Sequence, residues 1–284
     1  MNQVFDFNRW WLLTGKHWSE NRKKYLLSLG AIAGLLTVWY TWAMIISSDT
    51  RVPLDMQAYT YYVGLFGVGC LYASLLFSEL ASGPRAMNFL AVPASHFEKL
   101  LVYLLFGVLI FFVAYTAIFY IIDFSMVNIG NAIEKGKWDG NSHTAGEVFS
   151  PEKVLNVFVN PDKSIPNQDN PFYYLLLCYF AVQSAFILGS IYFPKFSLIK
   201  TVIAGALVLL FFTFLIGQVL IDTMPRGVQY SSLTSWQLMS EGADAYKLVK
   251  LPSWIGEVLI FLIKFALAPI FWITTYFRLK EKEI

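Results

Sequence analysis

Six apolar runs of 21 to 25 residues, separated by polar stretches, set the pattern of the chain. They extend over Tyr25 to Ile46, Gln57 to Ala81, Leu100 to Ile122, Phe172 to Phe193, Thr201 to Ile221 and Trp254 to Tyr276. About 20 apolar residues in a helix cross a hydrocarbon core about 30 Å thick. The pattern therefore predicts an all-α integral membrane protein with six transmembrane helices at 25–46, 57–81, 100–122, 172–193, 201–221 and 254–276, one domain spanning 25–284. Arg22, Lys23 and Lys24 precede the first run as they would in a signal peptide. That run is longer than an h-region of roughly 7 to 15 residues and has no A-x-A exit, so it is read as an uncleaved first span.

The segments between the runs carry patterns of their own. In the tail 1–24, Phe7, Trp10, Trp11, Thr14 and Trp18 fall on one side of a 3.6-residue helix, with Arg9 and Lys16 opposite. This predicts an amphipathic elbow helix, from about Phe5 to Trp18, lying in the headgroup plane. The loop 82–99 reads SGPRAMNFLAVPASHFEK. Gly83 and Pro84 end the second span, Ala86 to Val92 have room for one or two turns, and Pro93 interrupts them. Ser95-x-x-Glu98 then fits a capping box that starts the third helix. The segment 123–171 is polar and rich in Gly, Asn and Pro, and is expected to form a small cap with one helix around Pro151 to Val159. The segment 222–253 is expected to form short interfacial or partly re-entrant helices.

Composition agrees with a membrane location: 57% of residues are hydrophobic and 14% charged, against roughly 25% charged in an average soluble domain. A soluble particle of this length could not hide so much apolar surface, and disorder is excluded for the same reason. The net charge of +2 gives no reason to expect nucleic acid as a partner, and its distribution says more than its size. With the N-terminus inside, the inner segments hold 12 Lys and Arg in 57 positions and the outer segments 8 in 91. The positive-inside rule then places both termini in the cytoplasm. Counting acids as well, the inner face carries about +7 and the outer about −4.

A search for chemistry returns little. Cys70 and Cys178 lie within apolar runs, without the spacing of a disulfide framework or metal site. No G-x-x-x-x-G-K-[ST] or H-E-x-x-H occurs, and His17, His96 and His143 all fall outside the runs. Asp123 and Asp222 are expected at outer helix ends. The glycines from Gly64 to Gly69, with Gly30 and Gly34, suit close helix packing better than nucleotide binding. No catalytic, cofactor or metal residues are assigned, and an enzyme is not expected. Three charges fall within the runs: Glu79, Glu257 and Lys264. A lysine near mid-bilayer costs about 2.5 to 3.5 kcal/mol on insertion scales and needs either a functional role or an interhelical partner.

The layout of six spans, an N-terminal amphipathic helix and an ordered loop after span two resembles the permease subunits of type-2 ABC exporters. The stretch RAMNFLAVPASHFEKLLVYLLFGVL from Arg85 is similar to that family's pattern of a basic residue, a leucine-rich piece, Pro-x-Ser and then Glu-Lys opening helix three. LGSIYFPKFSLIKT and the ending APIFWITTYFRLKEKE are similar to stretches in small permeases common in Bacteroidota. The long segment between spans three and four departs from many relatives, in which it is short.

The resemblance implies a coupling helix at Arg85 to Val92, including Met87, Phe89 and Leu90, followed by a junction of Pro93, Ser95, Glu98 and Lys99. It maps the elbow onto Phe7, Trp10, Trp11 and Trp18. It further implies a homo- or heterodimer of permeases in the bacterial inner membrane, with ATP bound by a separate ABC ATPase subunit. Two other readings stay open: a membrane scaffold or assembly factor that binds a partner through its outer segment, and a small secondary transporter using Lys264 and Glu79.

Overall fold

A computed structural model describes residues 5–47, 49–81, 84, 86–87, 91–140, 149–158, 171–223, 228–232, 235–239, 246–250, 254, 258 and 261–282. Helices carry the fold. In chain order they are α1 (Phe7–Ile46), α2 (Leu54–Leu75), α3 (His96–Asp139), α4 (Pro171–Tyr192), α5 (Ser197–Thr223) and α6 (Leu267–Glu281). Among the described residues four helices are long and apolar enough to cross a membrane: α1, α3, α4 from Phe172 and α5 as far as Leu215. α2 is long enough but less apolar, and the expected sixth span lies partly outside the described residues.

The helix ends follow from local chemistry. Asp6 has an extended backbone and its carboxylate accepts from the Asn8 and Arg9 amides, starting α1 one residue later. α1 then runs 40 residues without a break, so the expected elbow is its first three turns and not a separate element. At 1.5 Å per residue it is about 60 Å long, twice the hydrocarbon thickness. Pro53 precedes α2, and Asp55 in the first turn complements the helix dipole. α2 stops at Leu75, six residues before the expected end, and a 3-10 turn follows at Ser78–Ala81.

α3 begins at His96 and contains a π-helical stretch, Leu105–Ile110. There the buried Gln183 of α4 donates from Nε2 to the Gly107 carbonyl at 2.6 Å, meeting a backbone acceptor in the irregular turn. A second π-helical stretch, Leu262–Ala266, precedes α6.

Three departures from expectation concern the segments 123–171 and 222–253. α3 continues to Asp139, well past Ile122, so Asp123 sits inside the helix and is fully buried. The helix expected around Pro151 to Val159 does not form: 149–156 has no regular structure, 157–158 is a turn, and Val159 lies outside the described residues. The reason is visible in its hydrogen bonds. The Leu155 amide donates to Gln57 Oε1 at 2.7 Å, and the Val157 amide donates to the Tyr120 hydroxyl at 3.0 Å. Glu152 exchanges both of its backbone groups with the Asn131 amide side chain. Backbone groups held by side chains of α2 and α3 have no use for a helix of their own.

The third departure is 222–253, which holds no interfacial helix among its described residues. α5 runs to Thr223 and a three-stranded antiparallel sheet follows: β1 (Val228–Ser232), β2 (Ser235–Met239) and β3 (Tyr246–Lys250). The register pairs Tyr230 with Trp236 and Trp236 with Val249. Within them VQYS, SWQL and YKL alternate apolar and polar positions, the strand period and not the helical one.

α2 packs between α3 and α4, α1 packs along α3, and α6 packs on α4. Tyr40, Tyr61, Tyr115 and Tyr179 are almost wholly buried in this core, and most of their hydroxyls find partners inside it. Tyr115 donates to the Tyr61 carbonyl at 3.0 Å, and Tyr61 pairs with Thr116 at 3.1 Å. Small residues make room: a Cβ on Gly64 would collide with the Tyr115 hydroxyl, and one on Gly69 would lie 2.8 Å from the Tyr179 ring. Gly30 and Gly34 instead have open space beside them, so among the described residues they mediate no close packing.

Candidate functional site

One end of the bundle gathers the start of α1, the start of α3, the 3-10 turn and the ends of α4 and α6. The sequence motif Ser95-x-x-Glu98 forms the expected capping box there. The Glu98 amide donates to Ser95 Oγ at 3.1 Å, and the Ser95 amide donates to Glu98 Oε2 at 2.9 Å. Glu98 also reaches outside its own helix. Its carboxylate accepts from Arg9 Nη2 at 2.7 Å and Nε at 2.8 Å, and from the Asp6 amide at 2.8 Å. The Glu98 side chain is fully buried, whereas Arg9 keeps 39% of its side chain exposed. A buried carboxylate is tolerated only when its lone pairs are met, and here a guanidinium and two amides meet them.

Sequence pattern missed this partnership. Arg9 was placed on the solvated side of the helix, opposite the aromatic stripe, yet it turns inward to Glu98. The signal was present in separate pieces: a basic residue in the first turn of α1 and an acid in the capping box. Aromatic contacts reinforce the junction, with Phe5 edge-on to Phe97 at 6.2 Å and Phe97 edge-on to Tyr276 of α6 at 6.5 Å. Of the expected elbow residues, Phe7 and Trp11 are exposed, Trp10 is half-buried, and Trp18 stacks on Phe106.

At the far side of this end, Lys282 Nζ donates to the Ile191 carbonyl at 2.7 Å, capping α4 with the tail of α6. Burial pushes the Lys282 ammonium below the ordinary lysine range. Arg278 lies over the Tyr192 ring at 4.8 Å and pairs with Glu281 at 2.6 Å. The turn between α4 and α5 holds the exposed Phe196 at φ 56°, a left-handed conformation unfavourable for a bulky side chain.

In the loop 82–99, Pro84, Ala86 and Met87 are helical and the Ala91 amide donates to the Met87 carbonyl at 2.9 Å. Met87 is 72% exposed. Pro93 is exposed, and Lys99 is buried beside the capping box. Arg85, Phe89, Leu90 and Glu257 lie outside the described residues, as does the side chain of Glu79, whose backbone belongs to the 3-10 turn.

Lys264 lies in the second π-helical stretch, with its ammonium 4.4 Å from the centroid of the Tyr174 ring. That cation–π contact supplies the interhelical partner the sequence left open. Asp123 Oδ1 accepts from the Tyr40 hydroxyl at 2.7 Å, while Oδ2 is buried with no hydrogen-bond partner among the described residues. Among the described residues no group of three His, Cys, Asp or Glu is placed to hold a metal ion. Compared with known proteins, the chain matches no family model, no curated protein and no solved structure.

Proposed function

We propose that this chain is the membrane subunit of an ATP-driven exporter, with six spans, both termini in the cytoplasm and the first turns of α1 acting as an elbow at the headgroups. It has no ATPase of its own. A separate nucleotide-binding subunit grips the loop 82–99, and two permease copies, identical or not, form the transport path.

The observation that carries this reading is the Glu98 junction. One carboxylate ties the end of the loop, the first turn of α3 and the first turn of α1 together, and Phe97 adds α6. A push on the loop would therefore reach α1 and α3 through short, charge-assisted hydrogen bonds and α6 through the Phe97–Tyr276 ring contact. The decisive experiment is purification of the native complex. A stoichiometric P-loop ATPase supports the reading, and replacement of Phe89 and Leu90 by aspartate should abolish its capture without preventing membrane insertion. Unchanged co-purification would overturn the coupling role.

A second reading, a membrane scaffold, is favoured by the outer side. There α3 extends to Asp139 and Gln57, Asn131 and Tyr120 strap the segment 152–157 into an ordered surface. The same purification separates the two, since a scaffold brings down an extracytoplasmic partner and no ATPase. The secondary-transporter reading loses ground because Lys264 is engaged with an aromatic ring.

A further inference from the structure

Between α1 and α2 runs a groove of about 550 Å³, closed at its back by Tyr103, Phe106 and Phe111 of α3. Its polarity changes along its length. On α1, His17, Asn21, Lys24 and Ser28 follow one another at spacings of three and four and so share a face. The same face continues as Ala31, Ile32 and Leu35. α2 contributes Val68, Leu71 and Leu75 to the apolar part, and Ser78 closes the polar end. From Lys24 to Leu35 the helix rises about 16 Å, close to one leaflet of a hydrocarbon core about 30 Å thick.

The polar end is cationic. Lys24 Nζ donates to Asn21 Oδ1 at 3.0 Å, which uses one of its three hydrogens. No carboxylate lies among the described residues that line the groove, and Arg22 and Lys23 stand exposed in the same turn. Lys24 stands exposed at this end, open to an anionic group, while the remainder of the groove offers mainly apolar contacts.

We propose that the groove holds one anionic phospholipid, its phosphate on Lys24 and Asn21 and an acyl chain along Ala31, Leu35, Val68 and Leu71. The volume falls in the range of small-molecule sites, about 300 to 1,000 Å³. The bound lipid fills the space that α1 leaves beside α2 and joins those helices next to the Arg9–Glu98 junction. This stands independently of an ATPase partner and rests only on the membrane placement of α1.

The test is native mass spectrometry of the full-length chain, delipidated in neutral detergent and titrated with phosphatidylglycerol or phosphatidylcholine. Phosphatidylglycerol should bind about fivefold to tenfold more tightly, the effect of one basic side chain at an anionic headgroup. Lys24→Gln should remove that preference, Lys24→Arg should keep it, and Lys280→Gln, remote from the groove, should leave it unchanged. Ala31→Trp, which fills the apolar part from an exposed position, should weaken both lipids. Millimolar inorganic phosphate should not displace the lipid. Equal lipid retention by wild type, Lys24→Gln and Ala31→Trp would overturn the proposal. So would displacement by phosphate, which would leave a free-anion site; should Lys24→Gln fail to fold, Ala31→Trp and the phosphate competition still decide.

Discussion

Arg9 and Glu98 stand 89 residues apart in the chain, and the guanidinium of one holds the fully buried carboxylate of the other through hydrogen bonds of 2.7 to 3.0 Å. The pair turns the first turn of α1 and the capping box of α3 into one unit. Removing one member of a buried pair leaves the other uncompensated, which costs more than losing both. Arg9→Met should therefore lower the unfolding temperature more than the double change Arg9→Met/Glu98→Gln, in which no charge is stranded. Thermal unfolding in detergent, followed by size-exclusion fluorescence, checks the order. If the double variant is the less stable, the ion pair is not what holds the junction.

The capping box itself predicts a smaller and local effect. Ser95→Ala removes the acceptor for the Glu98 amide, a loss of about 1 kcal/mol. Ser95→Thr should retain most of the stability, and the contrast between the two reads out in the same unfolding assay.

The glycines divide into two classes by what lies beside them. Gly69→Ala forces a Cβ against the Tyr179 ring, and overpacking of this kind typically costs about 1 to 3 kcal/mol. Gly30→Ala and Gly34→Ala meet nothing within 4 Å among the described residues and should gain about 0.5 to 1 kcal/mol of helix propensity. A loss of stability at Gly30 or Gly34 would show that a second chain or another protein packs there.

In the buried core, Tyr40 donates to Asp123 Oδ1 at 2.7 Å. Tyr40→Phe leaves the carboxylate without that donor and should cost about 1 to 3 kcal/mol. Asp123→Asn keeps an acceptor for the hydroxyl and should cost less. A double-mutant cycle with Asp123→Leu should give a coupling energy of at least about 0.5 kcal/mol; additive losses would mean that the two side chains do not cooperate.

Outside the spanning segments, Arg51 holds Asp49 at 2.7 Å and pulls its carboxyl below the usual range. A depressed carboxylate pKa stabilises the fold above the unfolded value, about 4, and the contribution vanishes as pH falls through the folded value. The difference in unfolding temperature between wild type and Asp49→Asn should be constant from pH 5 to 8 and shrink below about pH 4. Because Asp49 is 44% exposed, the difference should be small and weakened by salt.

Four apolar helices long enough to cross a membrane and the capping box could be read from the sequence because each is local: a run of apolar residues or a three-residue spacing specifies its own structure. Local reading failed where a distant side chain competed for the backbone. Pro151 to Val157 looks helix-capable, but Gln57 and Asn131, 96 and 21 residues away from their partners, take its amides and carbonyls. The strands 228–250 were missed for a different reason, since a helical setting masked an alternation already present in the letters.

By itself, then, the sequence determined where the chain is apolar, that a capping box starts α3, and that no phosphate-binding or metal motif is written in it. Only the tertiary structure decided that Arg9 faces inward, that Asp123 is buried against Tyr40, that Lys264 rests on Tyr174, and that a cationic, leaflet-long groove opens beside α1. The physical reason is the same in each case. The energy of a charge in a membrane protein is set by the partners that desolvation leaves it, and those partners come from other helices.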